Sequence, residues 1–354
     1  RVLDFSRRAP LAALFPERDS AMTRITVVVP AYNAAGVLGN CLQHLAEQDY
    51  PKELYEVVVV DDGSTDGTRQ VVQDCARRLD LPLRYVRQDN SGLAAARNAG
   101  ARLASYPVVL FLDPDMWAQP QLLRAHARHY DGGRVAVQGT RLLHPAAKVT
   151  PFMETKELLP DLTRRRRVGL SPYHTVMSNF SLRAEDLWSV GGFDEAFRGY
   201  GWEDIEMGFR LHRAGVELRW EPAAFAWHHH VESLEERLRK QREAGTNAVY
   251  FWRKHGKDAR LGLFLEIHPA LLPLKWLVYR TGILAGPMRA LARAAERRVT
   301  SSGGLRRRWW LLLASEGYNF LVHEAYYEGV WRALRAPSPM ESPSPARARN
   351  VGRG

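Results

Sequence analysis

The sequence predicts an α/β fold: a mostly parallel sheet flanked by helices, followed by a helical C-terminal extension. Three observations carry this expectation. Short runs rich in Val, Ile and Leu alternate with stretches whose apolar residues recur at helical spacing. The runs show little polar alternation, the pattern of strands covered on both faces. The unusual polar residues Tyr32, Asn33, Asp61, Asp62, Asp113 and Asp115 fall just after those runs, at the strand ends where open α/β sheets bind ligands.

Each element follows from its pattern. RITVVVPAYN (24–33) is a buried strand running into a loop, and 35–48 is a helix with Val37, Leu38, Cys41, Leu42 and Leu45 on one face. YEVVVVDDGSTDGT repeats the theme, with a strand at 55–60, an acidic glycine-containing loop and a helix over 68–80. PLRYVRQ is a third strand, SGLAAARNAGARLA a helix and PVVLFLD a fourth strand. After residue 130 the pattern changes. RVAVQGTRLLH is strand-like, 146–175 is irregular and basic, and MSNFSLRAEDLWSVGGFDE is a strand and a short helix. GYGWEDIEMGFRLHRAG is a loop and a helix ended by Gly215, and ELRWEPAAFAWHHH is a strand. Helices are expected from about 231 to 255 and through much of 261–335. The chain thus divides into a lead-in (1–21), an α/β half (22–130), a second half (131–235), a helical extension (236–335) and a Pro/Ser/Arg-rich tail (336–354) expected to be disordered.

Composition narrows the function classes. The 354 residues are 45% hydrophobic, enough for a sizeable core. The two cysteines, Cys41 and Cys75, cannot make a disulfide framework or a cysteine metal site, and both read as buried helical residues in a reducing, cytoplasmic setting. A net charge of +11 suits nucleic acid, anionic lipid or phosphorylated substrates. The basic residues are scattered apart from blocks at Arg164–Arg167 and Arg306–Arg308, and no nucleic-acid recognition fold accompanies them. PLAALF within 1–21 is too short for a signal peptide's apolar core, so none is expected. The apolar stretch 261–286 is interrupted by Glu266, His268, Pro269, Pro273, Lys275 and Arg280. That disfavours a spanning helix and leaves a buried or dimer-forming helix, or one lying at a membrane surface.

The strand-end residues carry the chemistry. Asp113 and Asp115 in FLDPDMW read either as an ordinary Asp-Pro turn or as oxygen ligands for Mg²⁺ or Mn²⁺ shared with a substrate phosphate. Tyr32, in the segment Pro30–Asn33, offers a ring for a base to stack on. The carboxylates of DDGSTDGT can accept a base N–H, although Ser64, Thr65 or Asp66 could equally cap the next helix. Arg97 and Asn98 stand where they could reach a diphosphate or sugar; a solvated helix face is the plainer reading. Glu203 and Asp204 open a helix, whose N-terminus favours negative charge and suits an ionised general base. They could also merely complement the helix dipole, with Glu206 and Arg210 as an i,i+4 pair. On a strand, His228 and His230 face one way and His229 the other, and a neutral imidazole can join a metal site.

Six segments in order, VVVPAYNA, VVVVDDGSTDGT, NSGLAAARNAG, FLDPDM, SNFSLRAEDLWSVGGFDE and GWEDIEMGFRL, resemble the family 2 glycosyltransferases of GT-A fold. These enzymes move a sugar from a nucleoside diphosphate sugar to a hydroxyl acceptor. The resemblance covers about 22–235 and makes 22–130 the donor half and 131–235 the acceptor and catalytic half. It implies that Pro30, Tyr32, Asp61, Asp62 and Arg97 border the nucleotide, and that Asp113 touches ribose or sugar hydroxyls. By the same resemblance, Asp115 ligates Mn²⁺ or Mg²⁺ together with His228 or His230, His228 foremost. Asp204 becomes the general base, with Glu203 an acceptor or sugar contact. Trp202, Gly201 and Asn179 border the acceptor. The implied reaction is inverting, with a UDP-sugar foremost as donor and a glycan, lipid-linked or small-molecule acceptor. A nucleotidyltransferase on a similar sheet is the rival enzyme, and a basic nucleic-acid or membrane-surface binder the non-enzymatic one. The expected location is cytoplasmic, or peripheral at the inner membrane face.

Overall fold

The computed structural model describes residues 23–147, 149–158, 170–280, 283–301 and 303–336. The lead-in 1–21, the arginine block 164–167 and the tail from 337 lie outside the described residues. The chain forms two compact units. The described residues of one fall within 1–148, 161–196 and 203–230, and those of the other within 149–160, 197–202 and 231–354.

The first unit is built on one eight-stranded sheet. Its chain order begins β1 (Ile25–Ala31), α1 (Ala35–Ala46), β2 (Tyr55–Asp62), α2 (Thr68–Arg78), β3 (Leu83–Gln88), α3 (Leu93–Arg102) and β4 (Val108–Leu112). β5 (Met116–Ala118), α4 (Leu122–Ala127) and β6 (Val135–Leu143) follow. After α5 (Pro151–Leu158), which belongs to the second unit, come β7 (Asn179–Arg183), α6 (Ala184–Ser189), α7 (Glu203–Arg213) and β8 (Glu217–His228). The strands lie in the order β3-β2-β1-β4-β7-β6-β8-β5. Four pairings are parallel, namely β1 with β2, β1 with β4, β2 with β3 and β6 with β8. β7 runs antiparallel to β4 and β6, and β5 antiparallel to β8. Strands of the 22–130 and 131–235 segments therefore share one sheet.

Burial explains the unalternating strands. Every residue of β1, β2 and β4 is buried, because helices cover both sheet faces. Val27, Val29, Val57 and Val59 pack with Leu38, Cys41, Leu42 and Leu45 of α1 on one side. Val58 and Val60 pack with Ala96 of α3 on the other. Each such side chain contributes about 1.5–3 kcal/mol by leaving water. Gly100 lets α3 lie close to the sheet, since a Cβ there would stand 2.3 Å from Val28 Cγ1.

Two elements depart from the sequence reading. β5 is a three-residue strand with no periodicity of its own. The segment 146–175, expected to be irregular, contains α5, where Phe152 packs in one cluster with Ala292, Ala295, Ala314 and Tyr318. The second unit continues with α8 (Leu234–Lys254), α9 (Ala259–Phe264), α10 (Leu272–Arg280), α11 (Ala285–Ser301) and α12 (Gly304–Arg335). Its centre is the packing of α12 along α8, where Gly245 meets the Tyr326 carbonyl and Gly329 the Arg242 carbonyl. Among the described residues no helix is long and apolar enough to cross a membrane.

Gly100→Ala should cost about 1–3 kcal/mol through forced displacement of Val28. Gly36→Ala, with nothing within 4 Å of the added Cβ, should be neutral or stabilise by less than about 1 kcal/mol. Urea unfolding midpoints of the two variants check the contrast.

Candidate active site

Strand pairing assembles the site. β4 ends at Leu112, and the chain turns through Asp113-Pro114-Asp115, closed by Met116 N donating to Asp113 O at 3.1 Å. The Asp-Pro turn and the carboxylate pair are thus one feature. Antiparallel pairing then sets Met116 opposite His228, and His229 N donates to Asp115 O at 2.9 Å. This register delivers the histidine run to Asp115. His228 Nε2 lies 3.2 Å and His230 Nδ1 3.8 Å from Asp115 Oδ2. His229 points the other way and stacks on Trp117 at 4.5 Å, as strand alternation requires.

Asp115 Oδ1 is buried and has no hydrogen-bond partner among the described residues. A buried carboxylate oxygen without a donor is costly. A cation held there by Asp115, His228 and His230 would remove that cost, so the donor set fits a divalent ion. Burial raises the Asp115 carboxyl, but the His228 hydrogen bond and the charges of His228 and His230 outweigh it and hold the group below the usual range.

Arg97 links the donor-side carboxylate to the helix that opens at Glu203. It is 1% exposed. Nη2 lies 3.2 Å from Asp113 Oδ1, and Nη1 lies 2.6 Å from Asp204 Oδ1 and 3.7 Å from Glu203 Oε1. The guanidinium also faces the Phe193 ring at 5.4 Å. The structure therefore turns Arg97 to carboxylates, and three of them already surround its charge. Asp204 Oδ2 accepts from Met177 N at 2.9 Å, and Thr175 Oγ1 donates to Asp204 O at 3.0 Å. Gly208, one turn along α7, allows this approach, since a Cβ there would meet Thr175 Oγ1 at 2.2 Å.

Glu203 differs from its neighbour. Its Oε2 is buried with no partner among the described residues. Burial first, and then the charge of Asp204, push its carboxyl up to about 8 against the opposing pull of Arg97. Burial likewise raises Asp113, with Arg97 lowering and Asp115 and Asp204 adding to the rise.

At the ends of β1 and β2 the carboxylates are tied into the framework. Tyr32 is open, 54% exposed, just beyond β1, while Pro30 is buried inside that strand. Asp61 accepts from Tyr85 Oη at 2.5 Å and Ser64 N at 2.7 Å. Asp62 accepts from Gln88 Nε2 at 2.7 Å, Ser91 N at 2.9 Å and Gly92 N at 2.8 Å, fixing the loop before α3. Asp66 serves two helix starts, through Thr68 N and Ala35 N, so the capping role of this loop is real.

Asn179 is drawn inward. Its Oδ1 lies 2.9 Å from His126 Nε2 and its Nδ2 donates to the Ala224 carbonyl at 2.9 Å. His126 is fully buried, and burial lowers it to about 4, so it acts as a neutral spacer in the core. Asn98 holds the Phe193 backbone at both N and O. Trp202 and Gly201 belong to the second unit, where Trp202 Nε1 donates to Ala244 O at 2.8 Å and its ring meets Phe264 at 5.8 Å. Trp202 takes a φ of 76° immediately before α7, a left-handed backbone unusual for an aromatic residue. One cation was not foreseen: Arg141, exposed near the end of β6, donates to Ser178 Oγ at 3.3 Å and lowers Asp113. A lone charge late in an apolar strand, after QGT, was its only sequence signal.

Comparison with known proteins agrees with this arrangement. Residues 26–191 match the model of the glycosyl transferase family 2, and residues 171–236 match that of the N-terminal domain of galactosyltransferase. The chain is 34% identical over 298 residues to validoxylamine A glucosyltransferase of Streptomyces hygroscopicus subsp. jinggangensis, covering 76% of this chain and 67% of that protein. It is 28% identical to the chondroitin synthase of Escherichia coli, across 69% of this chain and 41% of the synthase. The chain thus spans about two thirds of the first relative and less than half of the second. Among solved structures, the mannosyltransferase PcManGT of Pyrobaculum calidifontis superposes with a TM-score of 0.59 at 24% identity, covering 90% of this chain and 92% of that one. TarS residues 1–349 of S. aureus superpose with a TM-score of 0.52 at 20% identity, covering 87% and 92%. These two likenesses establish the GT-A fold. The family 2 match and the 34% identical relative place the chain in the family 2 glycosyltransferases.

Proposed function

We propose that the protein is an inverting, metal-dependent glycosyltransferase that moves a sugar from a nucleoside diphosphate sugar, UDP-sugar foremost, to a hydroxyl acceptor, with Asp204 as general base. The observation that carries this is Arg97 gripping Asp113 and Asp204 with its two terminal nitrogens. The carboxylate assigned to the donor sugar and the one assigned to the acceptor thereby share a single guanidinium. Similar proteins support the donor class: PcManGT forms a complex with GDP-Man and Mn²⁺, and TarS with UDP-GlcNAc.

In this reading Tyr32 stacks on the base and Asp62 borders it, with Asp61 and Pro30 shaping the strand ends beneath. Asp113 contacts ribose or sugar hydroxyls, and Arg141 stands as a cation for the diphosphate. Asp115, His228 and His230 hold the ion, which when bound offsets the charge gathering on the leaving diphosphate. Imidazole in the donor set favours Mn²⁺ over the all-oxygen preference of Mg²⁺. Trp202 and Gly201, covalently next to Glu203, border the acceptor. Asn179 supports the site from within the core.

Asp204 accepts one hydrogen bond on each oxygen, and a carboxylate has about four acceptor positions, so it is oriented yet able to take a proton. The acceptor hydroxyl gives its proton to Asp204 as its oxygen forms a bond to the anomeric carbon. The bond from that carbon to the diphosphate oxygen breaks on the opposite face. The electron pair leaves with the nucleoside diphosphate, and the anomeric configuration inverts. Glu203, held neutral by its surroundings, is suited to donate a hydrogen bond to an acceptor or sugar oxygen. The acceptor is a glycan, a lipid-linked sugar or a small molecule, and cytoplasmic location is part of the same proposal.

Asp204→Asn should retain nucleotide-sugar binding and lose at least about 10²-fold in transfer, the usual scale of general-base catalysis; near-normal turnover would overturn the assignment. Asp115→Ala should abolish the Mn²⁺-dependent thermal shift with UDP, and undiminished binding would exclude Asp115 as a ligand. The metal-free protein offers a third check. A carboxyl raised from 4.5 to about 8 is protonated when folded but ionised when unfolded between those values, so its contribution falls as pH rises through that window. Glu203→Gln should therefore be the more stable protein at pH 7–8, by on the order of a few kcal/mol, with the gap closing towards pH 5. Chelated samples melted across this range give the comparison.

A further inference from the structure

α12 carries two apolar faces, and packing within its own unit uses only one. Leu311 and Ala314 are buried, with Ala314 packed beside Ala292, Ala295 and Phe152. Trp310 on the same side lies under Arg298 of α11 at 4.9 Å. The outward residues are also apolar. Leu305 is 78% exposed, Trp309 68%, Leu312 49% and Leu313 36%. Their spacing of i, i+4, i+7 and i+8 places them on one stripe. At such exposure the Trp309 indole alone leaves on the order of 150 Å² in water, out of the 150–250 Å² an aromatic side chain can bury. α10 adds Leu274, Trp276 and Leu277, all strongly exposed.

Charge indicates what covers the stripe. Arg306, Arg307 and Arg308 occupy the start of α12, whose first turn holds no acidic residue and where the helix dipole is already positive. Arg307 turns to Glu154 at 2.7 Å, whereas Arg306 and Arg308 are exposed beside the stripe. A second copy of the chain docking face to face would bring a second set of the same arginines to the patch and add no negative charge to it. A surface offering both hydrocarbon and negative charge has no such conflict, and an apolar stripe rimmed by arginine is the pattern of helices lying in a membrane interface.

We propose that the first three turns of α12 dock on an anionic lipid bilayer, with Leu305, Trp309, Leu312 and Leu313 entering the headgroup boundary and Arg306 and Arg308 pairing with lipid phosphates. The inference is independent of the transfer chemistry. It places the contact beyond the 261–286 stretch that the sequence singled out.

Vesicle co-sedimentation of the full chain tests it, using phosphatidylcholine alone and phosphatidylcholine with about a third phosphatidylglycerol. Binding should require the anionic lipid and weaken with added salt. The variant Leu305→Ser/Trp309→Ser/Leu312→Ser and the variant Arg306→Glu/Arg308→Glu should each bind at least about tenfold less. Melting curves and the UDP thermal shift should match the parent, because the altered side chains face solvent. Equal binding by parent and variants overturns the proposal. So does a lack of vesicle binding together with a concentration-dependent dimer that Trp309→Ser dissociates, which would assign the stripe to a second copy.

Discussion

Arg97 carries a full charge into the protein at 1% exposure, a placement that costs several kcal/mol unless partners repay it. The partners are Asp113 and Asp204, with Glu203 just beyond hydrogen-bonding range. Removing Arg97 would leave Asp113 and Asp204 without the cation they share. The spacing of the Asp113 and Asp204 carboxylates is therefore set by one side chain on α3, and α3 is seated by Gly100 against Val28. A close helix-sheet contact on one side of β1 thus governs the spacing of groups at its end.

The same economy appears around Asp115. Only three residues of β5 pair with β8, yet that pairing brings two histidines to one carboxylate and sends the third to Trp117. Shifting the register by one residue would exchange these faces. The last carboxylate oxygen is left with no protein donor, and the unfilled valence points to an ion. The turn that ends β4 is also the place where that oxygen is left open.

Much of the fold was legible because its signals are local. The valine runs of β1, β2 and β4, the apolar spacing of α1 and the opposing directions of His228 and His229 follow from one-dimensional patterns. Site residues at strand ends were legible for the same reason, since position along a strand fixes the edge. What was not legible depends on partners distant in sequence. Arg97 looked free to reach a diphosphate because nothing nearby shows that Asp204, 107 residues away, would hold it. Asn179 looked like an acceptor contact, but His126 and the Ala224 carbonyl draw its amide into the core. β5 is too short to carry a period, and Arg141 is a single charge whose meaning appears only beside Asp113.

Glu203 and Asp204 are adjacent in sequence and alike in chemistry, so their different roles must come from their surroundings. Asp204 has a guanidinium on one oxygen and a backbone N–H on the other. Glu203 is buried, with a negative neighbour beside it and one oxygen unpartnered, which favour the neutral acid against the pull of the guanidinium at 3.7 Å. The helix dipole cannot make this distinction, because both residues sit in the first turn of α7 and feel it together. The distinction comes first from the burial of Glu203 beside the charge of Asp204, while Arg97 approaches closest on the Asp204 side. On this argument an Arg97→Lys variant, which keeps the charge but loses the two-pronged grip, would blur the roles of the two carboxyls before it disturbed the strands that present them.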